Sequence, residues 1–406
     1  MSVKASARDV TPRARTWLTA GVWVAAAIAA VAFGVQRFAA AAGDQQPDLG
    51  GFFLPAAQAI LSGESPYSVS GYFYSPLVAL LLAPFASTDA AIPAWTAMRI
   101  VAGIAACVIG AFACTPKGDL LRAGAVALVA MVTLLWSVPT SLDLWAGQVE
   151  LLVLLTLVTA ALAETRGWRF TSGLMLGLGA VIKTWPVLIA AWLLRSGWAS
   201  RARQWMGVAV AALIAVALAL LTGGPGAVVD MIRAPFAGAE QPLLAANSVW
   251  GLPRMLFSDT PMAEPLTESS ALRIATTVIL VAWVAALGVI ALVRPGPPVI
   301  SLFNVTFLVI LLLPVSHYFY VILALPALWW WTAHVSERPR SAIAWIAVSV
   351  LALWWIVVFR IAPAGDGFVT TTWPSLLRIF AASLVAATVS VVCAAILHRG
   401  ERMPPA

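Results

Sequence analysis

A carboxylate, paired glycines and a run of aromatic rings follow the first apolar stretch of this chain. The residues are Asp48-Leu49-Gly50-Gly51-Phe52-Phe53, then Gly63-Glu64-Ser65-Pro66-Tyr67, then Tyr72-Phe73-Tyr74-Ser75-Pro76. Asp48 in that setting suits a general base that takes a proton from a sugar hydroxyl. Gly50 and Gly51 allow a ligand close to the backbone. The bland alternative is a solvated loop carboxylate. Lys183 stands inside an apolar stretch, where a cation is a functional hypothesis by default. It suits a phosphate as a point charge, and its bland alternative is snorkelling to the surface. Arg99 is a weaker cation of the same kind.

Polar side chains also enter a helix together in Asp143-Leu144-Trp145-Ala146-Gly147-Gln148-Val149-Glu150. Gln148 and Glu150 either line a cavity and bond sugar hydroxyls or make polar helix–helix contacts. His317, in Pro314-Val315-Ser316-His317-Tyr318-Phe319-Tyr320, is a phosphate or sugar contact or an ordinary structural histidine. The segment Asn247-Ser248-Val249-Trp250-Gly251 adds amide, hydroxyl and indole donors. Tyr67, Tyr74, Gln148, Glu150, Asn247 and Trp250 are the candidate sugar or acceptor contacts.

The elements that hold these groups must lie in lipid. Of 406 residues 62% are hydrophobic and only 10% charged, far too few charges for a water-facing surface. Mean hydropathy is +0.94. Runs such as Ala25 to Val35 lack period-two alternation, so helices rather than a barrel satisfy the backbone. The expected fold class is all-α, a polytopic integral membrane protein of about twelve spans. The net charge of +7 does not point to nucleic acid, because the basic residues lie between apolar runs and orient the chain in the membrane. Cys107, Cys114 and Cys393 have neither a disulfide framework nor metal-ligand spacing.

Spans are expected near residues 16–35, 93–114, 119–139, 146–163, 171–182, 184–197, 204–222, 272–294, 298–314, 317–333, 341–360 and 373–396. The first reads as an anchor rather than a cleaved signal. With this count the clusters Lys4/Arg8/Arg13/Arg15, Lys117/Arg122, Arg166/Arg169, Arg201/Arg203, Arg338/Arg340 and Arg399/Arg402 share one side, the cytoplasmic one. Residues 1–15 and 398–406 are then cytoplasmic tails. Longer loops near 36–75 and 223–271 face outward and are the natural seat of function. Leu77 to Ser87 is too short for a span and is expected to be interfacial or re-entrant. Phe170 to Leu194 is flanked by basic residues on both sides, which one crossing does not allow. A hairpin of two short helices turning at Lys183-Thr184-Trp185-Pro186 resolves this. Helix 52–62 is expected to lie along the interface.

There is no Walker motif, dinucleotide fingerprint, zinc spacing or nucleophile triad. A sugar transferred on the outer face would then come from a lipid-linked donor. The ordered short patterns resemble the integral-membrane glycosyltransferases of the GT-C superfamily, specifically glycosyltransferase family 87. Its members include actinobacterial polyprenyl-phosphate-mannose-dependent α-1,2-mannosyltransferases and related arabinofuranosyltransferases. The resemblance lies in Asp48-Leu49 with Phe52-Phe53, Gly63 and Pro66-Tyr67, in Phe73-Tyr74-Ser75-Pro76, and in Gly147-Gln148-Val149. It continues through Gly173 to Pro186 with Lys183, Asn247-Ser248 with Gly251, and Pro314-Val315-Ser316-His317. Ser75, Glu150 and the spacing of His317 depart from the usual pattern.

The resemblance implies an inverting transfer, of mannose or, as the alternative, of arabinofuranose, from a polyprenyl-phosphate donor to a cell-envelope glycolipid or lipoglycan on the outer face of the plasma membrane. Asp48 would be the base. Lys183, with Arg254 and His317 behind it, would stabilise the leaving phosphate. No nucleotide or other cofactor is implied. A metal is not expected, because Asp44 and Asp48 make a poor cage. Flipping of a lipid-linked glycan is the rival class, but the broken helix at Lys183 has no matching partner in the other half. An assembly protein is the third class, and for it Asp48→Asn would be silent.

Overall fold

The computed structural model describes residues 12–41, 46–196, 201–239, 247–260, 264–360 and 373–402. Regular structure among them is helical, in the order α1 (Pro12–Ala41), α2 (Leu54–Leu61), α3 (Pro76–Leu82), α4 (Ala91–Cys114), α5 (Leu120–Ala130), α6 (Val138–Ala146), α7 (Glu150–Thr165), α8 (Arg169–Ile182), α9 (Ala202–Ala239), α10 (Gly251–Phe257), α11 (Ser270–Val293), α12 (Pro298–Leu312), α13 (Leu325–Glu337), α14 (Ala342–Trp355) and α15 (Trp373–Arg402). Tighter 3₁₀ turns run through Trp185–Ser196 and Tyr318–Ala324. Helix starts carry the expected chemistry. Ser137 and Asp119 accept the backbone N–H groups of Thr140 and Arg122, and Pro76, Pro139 and Pro298 occupy first-turn positions where no N–H is needed.

Seven of these helices are long and apolar enough to cross a membrane, or eight if the bent pair Leu120–Leu135 and Val138–Ala146 counts as one. Other apolar segments expected to span, such as Arg169–Ile182, Trp185–Arg195 and Pro298–Leu312, are shorter. A 14-residue helix is about 21 Å long against a hydrocarbon core of about 30 Å. Their position explains the shortness. The lipid-facing windows of α1 and α11 are each only 17% buried, whereas Tyr318–Glu337 is 89% buried and α12 is buried almost all round. Long helices such as α1 and α11 lie on the outside, whereas α12 and the irregular turn at Tyr318–Ala324 sit within protein, the setting in which irregular backbone is tolerated.

The two expected loops are more helical than anticipated. Helix α1 extends to Ala41, and α9 to Ala239 through a break at Gly224, whose φ is +68°. The segment after Asp48 is a π-turn over Leu49–Phe53 leading into α2. Leu77 to Ser87 lies in α3 and a following 3₁₀ turn at Ala83–Phe85, well short of a span.

Contacts fix the direction of the helices. Trp23 stacks on Phe112 while Gly34 faces Ile100, so α1 and α4 are antiparallel. Gly103 faces Leu151 and Gly110 faces Val158, so α4 and α7 are parallel. Glu150, at the start of α7, pairs with Lys183, and Glu164, near its end, pairs with Arg195 at 3.1 Å and Arg201 at 2.5 Å. The chain therefore reverses at Lys183, giving the hairpin that the flanking basic residues required. Its arms match in length, because 3₁₀ geometry rises about 2 Å per residue against 1.5 Å in an α-helix.

One end of the bundle gathers Arg15–Asp119 and Arg122–Glu337 together with the Glu164 cluster. The other end gathers Asp48, Gln148 and Lys183. Helices α8 and α9 pack backbone to backbone towards the Glu164 end, where Gln204 also donates to Glu164. A Cβ at Gly173 would overlap the Gln204 carbonyl, and one at Gly207 would overlap Phe170.

Candidate active site

The end of the bundle away from the basic loops is built around one amide. Gln148 is 5% exposed and begins where α6 stops at Gly147, a left-handed residue with φ +85°. A side chain there would be strained, and its Cβ would come within 2.8 Å of Leu49. The turn is pinned by the Trp95 indole, which donates to the Gly147 carbonyl at 2.8 Å. The Gln148 Nε2 donates to the Asp48 carboxylate. Its Oε1 accepts from the Tyr74 hydroxyl at 2.8 Å and from Lys183 Nζ at 3.2 Å. Asp48 and Lys183 thus meet on opposite faces of one amide.

Lys183 caps α8 in extended backbone and is 6% exposed. It also forms an ion pair with fully buried Glu150. Three rings surround the ammonium, Tyr320 at 4.2 Å, Tyr74 at 5.5 Å and Phe319 at 5.8 Å from their centroids. Trp185 stacks on Tyr320 at 5.4 Å, and His317 stacks on Phe319 at 5.1 Å. The ammonium is thus held between the Glu150 carboxylate and the faces of three rings. Glu150 pairs with the lysine, the polar helix–helix contact that the sequence offered beside a sugar contact.

For Arg99 the structure corrects the expectation of an anion-binding cation. Its guanidinium donates to the Asp143 and Leu144 carbonyls at 2.9 and 3.1 Å and to Gln46 Oε1 at 2.7 Å. Gln46 in turn donates to Thr96 at 2.7 Å. Gln46 is fully buried with φ +35°, two residues before Asp48. Arg99 consequently ties the Asp48 segment to the end of α6 that leads into Gln148. Its donors are spent on protein, so it is a tether rather than a phosphate ligand.

Asp48 itself is half-buried. Burial pushes its carboxyl above the usual carboxylate range. The Gln148 hydrogen bond and the Lys183 charge oppose that rise, and Glu150 adds to it. A base with a raised pKa is a better proton acceptor near neutrality.

The remaining expected residues divide. Tyr67 donates to the Tyr74 carbonyl at 3.0 Å and so holds the aromatic loop. His317 joins the ring cluster around Lys183. The backbone N–H of Asn247 donates to the Ser316 carbonyl at 2.7 Å, which ties its loop to the His317 segment. Trp250 and Arg254 do not contact Asp48 or Lys183. They line a separate surface groove. Asp44 lies outside the described residues. Sequence reasoning missed Gln46 and Trp95, and no local signal marks either one, since their partners lie about 50 positions away.

Residues 72–315 match the family model for glycosyltransferase family 87. That stretch contains Tyr74, Gln148, Glu150, Lys183, Asn247, Trp250 and Arg254, and Asp48 precedes it. No curated protein matches the chain. The match covers well over half of the sequence and includes the amide–lysine–glutamate core of the site. This polytopic helical membrane protein belongs to glycosyltransferase family 87.

Proposed function

We propose that the protein transfers mannose from a polyprenyl-phosphate donor to a cell-envelope glycolipid or lipoglycan, on the outer face of the plasma membrane. The observation that carries this reading is the convergence of the Asp48 carboxylate and the Lys183 ammonium on Gln148. One group is placed to take a proton and the other to receive an anion, a spacing of one amide apart.

In the reaction Asp48 accepts the proton of an acceptor hydroxyl. The oxygen attacks the anomeric carbon from the face opposite the phosphate. The bond from that carbon to the phosphate oxygen breaks, and the polyprenyl phosphate departs with its charge. Inversion follows from the single displacement. Lys183, cradled by Tyr320, Tyr74 and Phe319, meets the developing phosphate charge, and Glu150 fixes the ammonium's position. Tyr74 and Gln148 border the sugar, and His317 borders the phosphate side. The chain crosses the membrane twelve times in this reading, with the short arms traversing where surrounding helices shield them. The basic end is cytoplasmic and both tails lie there.

The test is transfer from radiolabelled polyprenyl-phosphate mannose, and then the arabinose analogue, in membranes carrying wild type or Asp48→Asn. Wild-type transfer lost by at least about a hundredfold in the folded variant supports the reading. Equal transfer by both removes Asp48 as base. Transfer of arabinose alone reassigns the donor.

A further inference from the structure

At the same end of the bundle as Asp48, α10 and the start of α11 enclose a groove of about 390 Å³. Its walls are Trp250, Arg254, Arg273, Ile274, Thr277 and Val278. The volume falls within the range of small-ligand sites. Trp250 is 45% exposed, yet its indole N–H is anchored to the Leu312 carbonyl at 2.7 Å, so the ring is a fixed wall.

The chemistry changes along the groove. At its upper edge stand two arginines. Arg254 has no ion-pair partner among the described residues, and Arg273 donates only to the neutral Ser258 hydroxyl, at 3.2 Å. Below them the wall is apolar and open. Ile274 and Val278, one helical turn apart, are 58% and 60% exposed. Arg273 is the fourth residue of α11, about one turn from its end, which is the depth of lipid headgroups for a spanning helix. Guanidinium groups with no ion pair among the described residues, above an exposed hydrocarbon wall and beside an interfacial tryptophan, complement an anion that carries its own hydrocarbon chain.

We infer that this groove binds the phosphate headgroup of an anionic membrane phospholipid, with Arg254 and Arg273 on the phosphate and the acyl chain along Ile274 and Val278. The site is separate from Lys183 and does not depend on the sugar-transfer reading. Its Trp250 loop is bonded to the chain that leads to His317, through Trp250 to Leu312, Val249 to Leu311 and Asn247 to Ser316.

The test uses the full-length protein purified in detergent and exchanged with phosphatidylglycerol or phosphatidylcholine. Native mass spectrometry then counts the lipid retained. Wild type is expected to keep phosphatidylglycerol in preference. Arg254→Gln/Arg273→Gln is expected to lower that retention about tenfold, while Arg294→Gln, at the opposite end of α11, leaves it unchanged. Val278→Glu, which keeps both arginines, is expected to lower it as well. Equal retention by wild type and the double variant overturns the site, and so does an equal loss in Arg294→Gln. Displacement of the lipid by millimolar inorganic phosphate also overturns it, by reducing it to a free-anion site. If the double variant does not fold, the single Arg273→Gln and Val278→Glu variants, both on an exposed face, decide the question.

Discussion

Gln148 is the residue that joins the two charges of the candidate site, its N–H to Asp48 and its carbonyl oxygen to Lys183. Its N–H holds Asp48 in the ionised form against burial, so removing it raises the carboxyl further. A base is active only when deprotonated. If Asp48 is the base, Gln148→Leu is therefore expected to move the acid limb of the kcat/KM profile to higher pH, from a wild-type limb itself expected above the ordinary aspartate midpoint of about 3.9. A pH–rate series on both proteins checks the direction. Lys183 and Glu150 are tied just as closely. Lys183→Met strands a fully buried carboxylate and is expected to cost about 3–5 kcal/mol of stability. Adding Glu150→Gln removes the stranded charge and is expected to restore most of the stability while transfer stays lost. Restored transfer in the double variant would limit the lysine to a structural role. Thermal unfolding and the transfer assay, run side by side, separate the outcomes.

At the scale of elements, the hairpin of α8 and Trp185–Ser196 positions the lysine. Both arms end on α7, one at Glu150 and the other at Glu164. The ion pairs set the length that each arm must cover. Helix α8 reaches its neighbour α9 only because Gly173 and Gly207 leave room for backbone contact. Gly207→Val is expected to push the two helices apart, tilt Lys183 away from Gln148 and lower stability by about 1–3 kcal/mol. A fall in unfolding temperature together with reduced transfer would agree, and an unchanged protein would mean the contact is dispensable. The hairpin was legible because basic residues flank an apolar run that a single crossing cannot fit. The 3₁₀ winding of its second arm was not legible, since residues such as Val187, Leu188 and Ile189 favour no 3₁₀ geometry and only the span between Glu150 and Glu164 demands it.

The whole molecule separates charge by end. Basic loops and their acidic partners gather at one pole, and the amide, lysine and rings at the other. Introduced cysteines test the sidedness. Glu64→Cys is expected to react with an impermeant maleimide in intact cells, and Lys117→Cys only after the membrane is opened. The native Cys107, Cys114 and Cys393 are buried and leave a low background. The reverse pattern would place the site on the cytoplasmic face and remove the outer-face reading.

By itself the sequence determined what depends on local chemistry. Low charge and apolar runs dictate membrane helices, basic residues on both flanks of Phe170 to Leu194 call for a reversal there, and Asp48, Gln148 and Lys183 stand out because polar groups are costly among apolar neighbours. Only the tertiary structure decided the partners. Gln148 reaches Asp48 across 100 positions and Lys183 across 35. Arg99, equally conspicuous in the chain, turns out to hold backbone carbonyls and Gln46. Arg254 and Trp250 line a groove apart from the cluster around Lys183. A cation inside an apolar stretch needs a partner wherever it lies, so sequence can say that one exists, but which partner it finds is settled by how the helices pack.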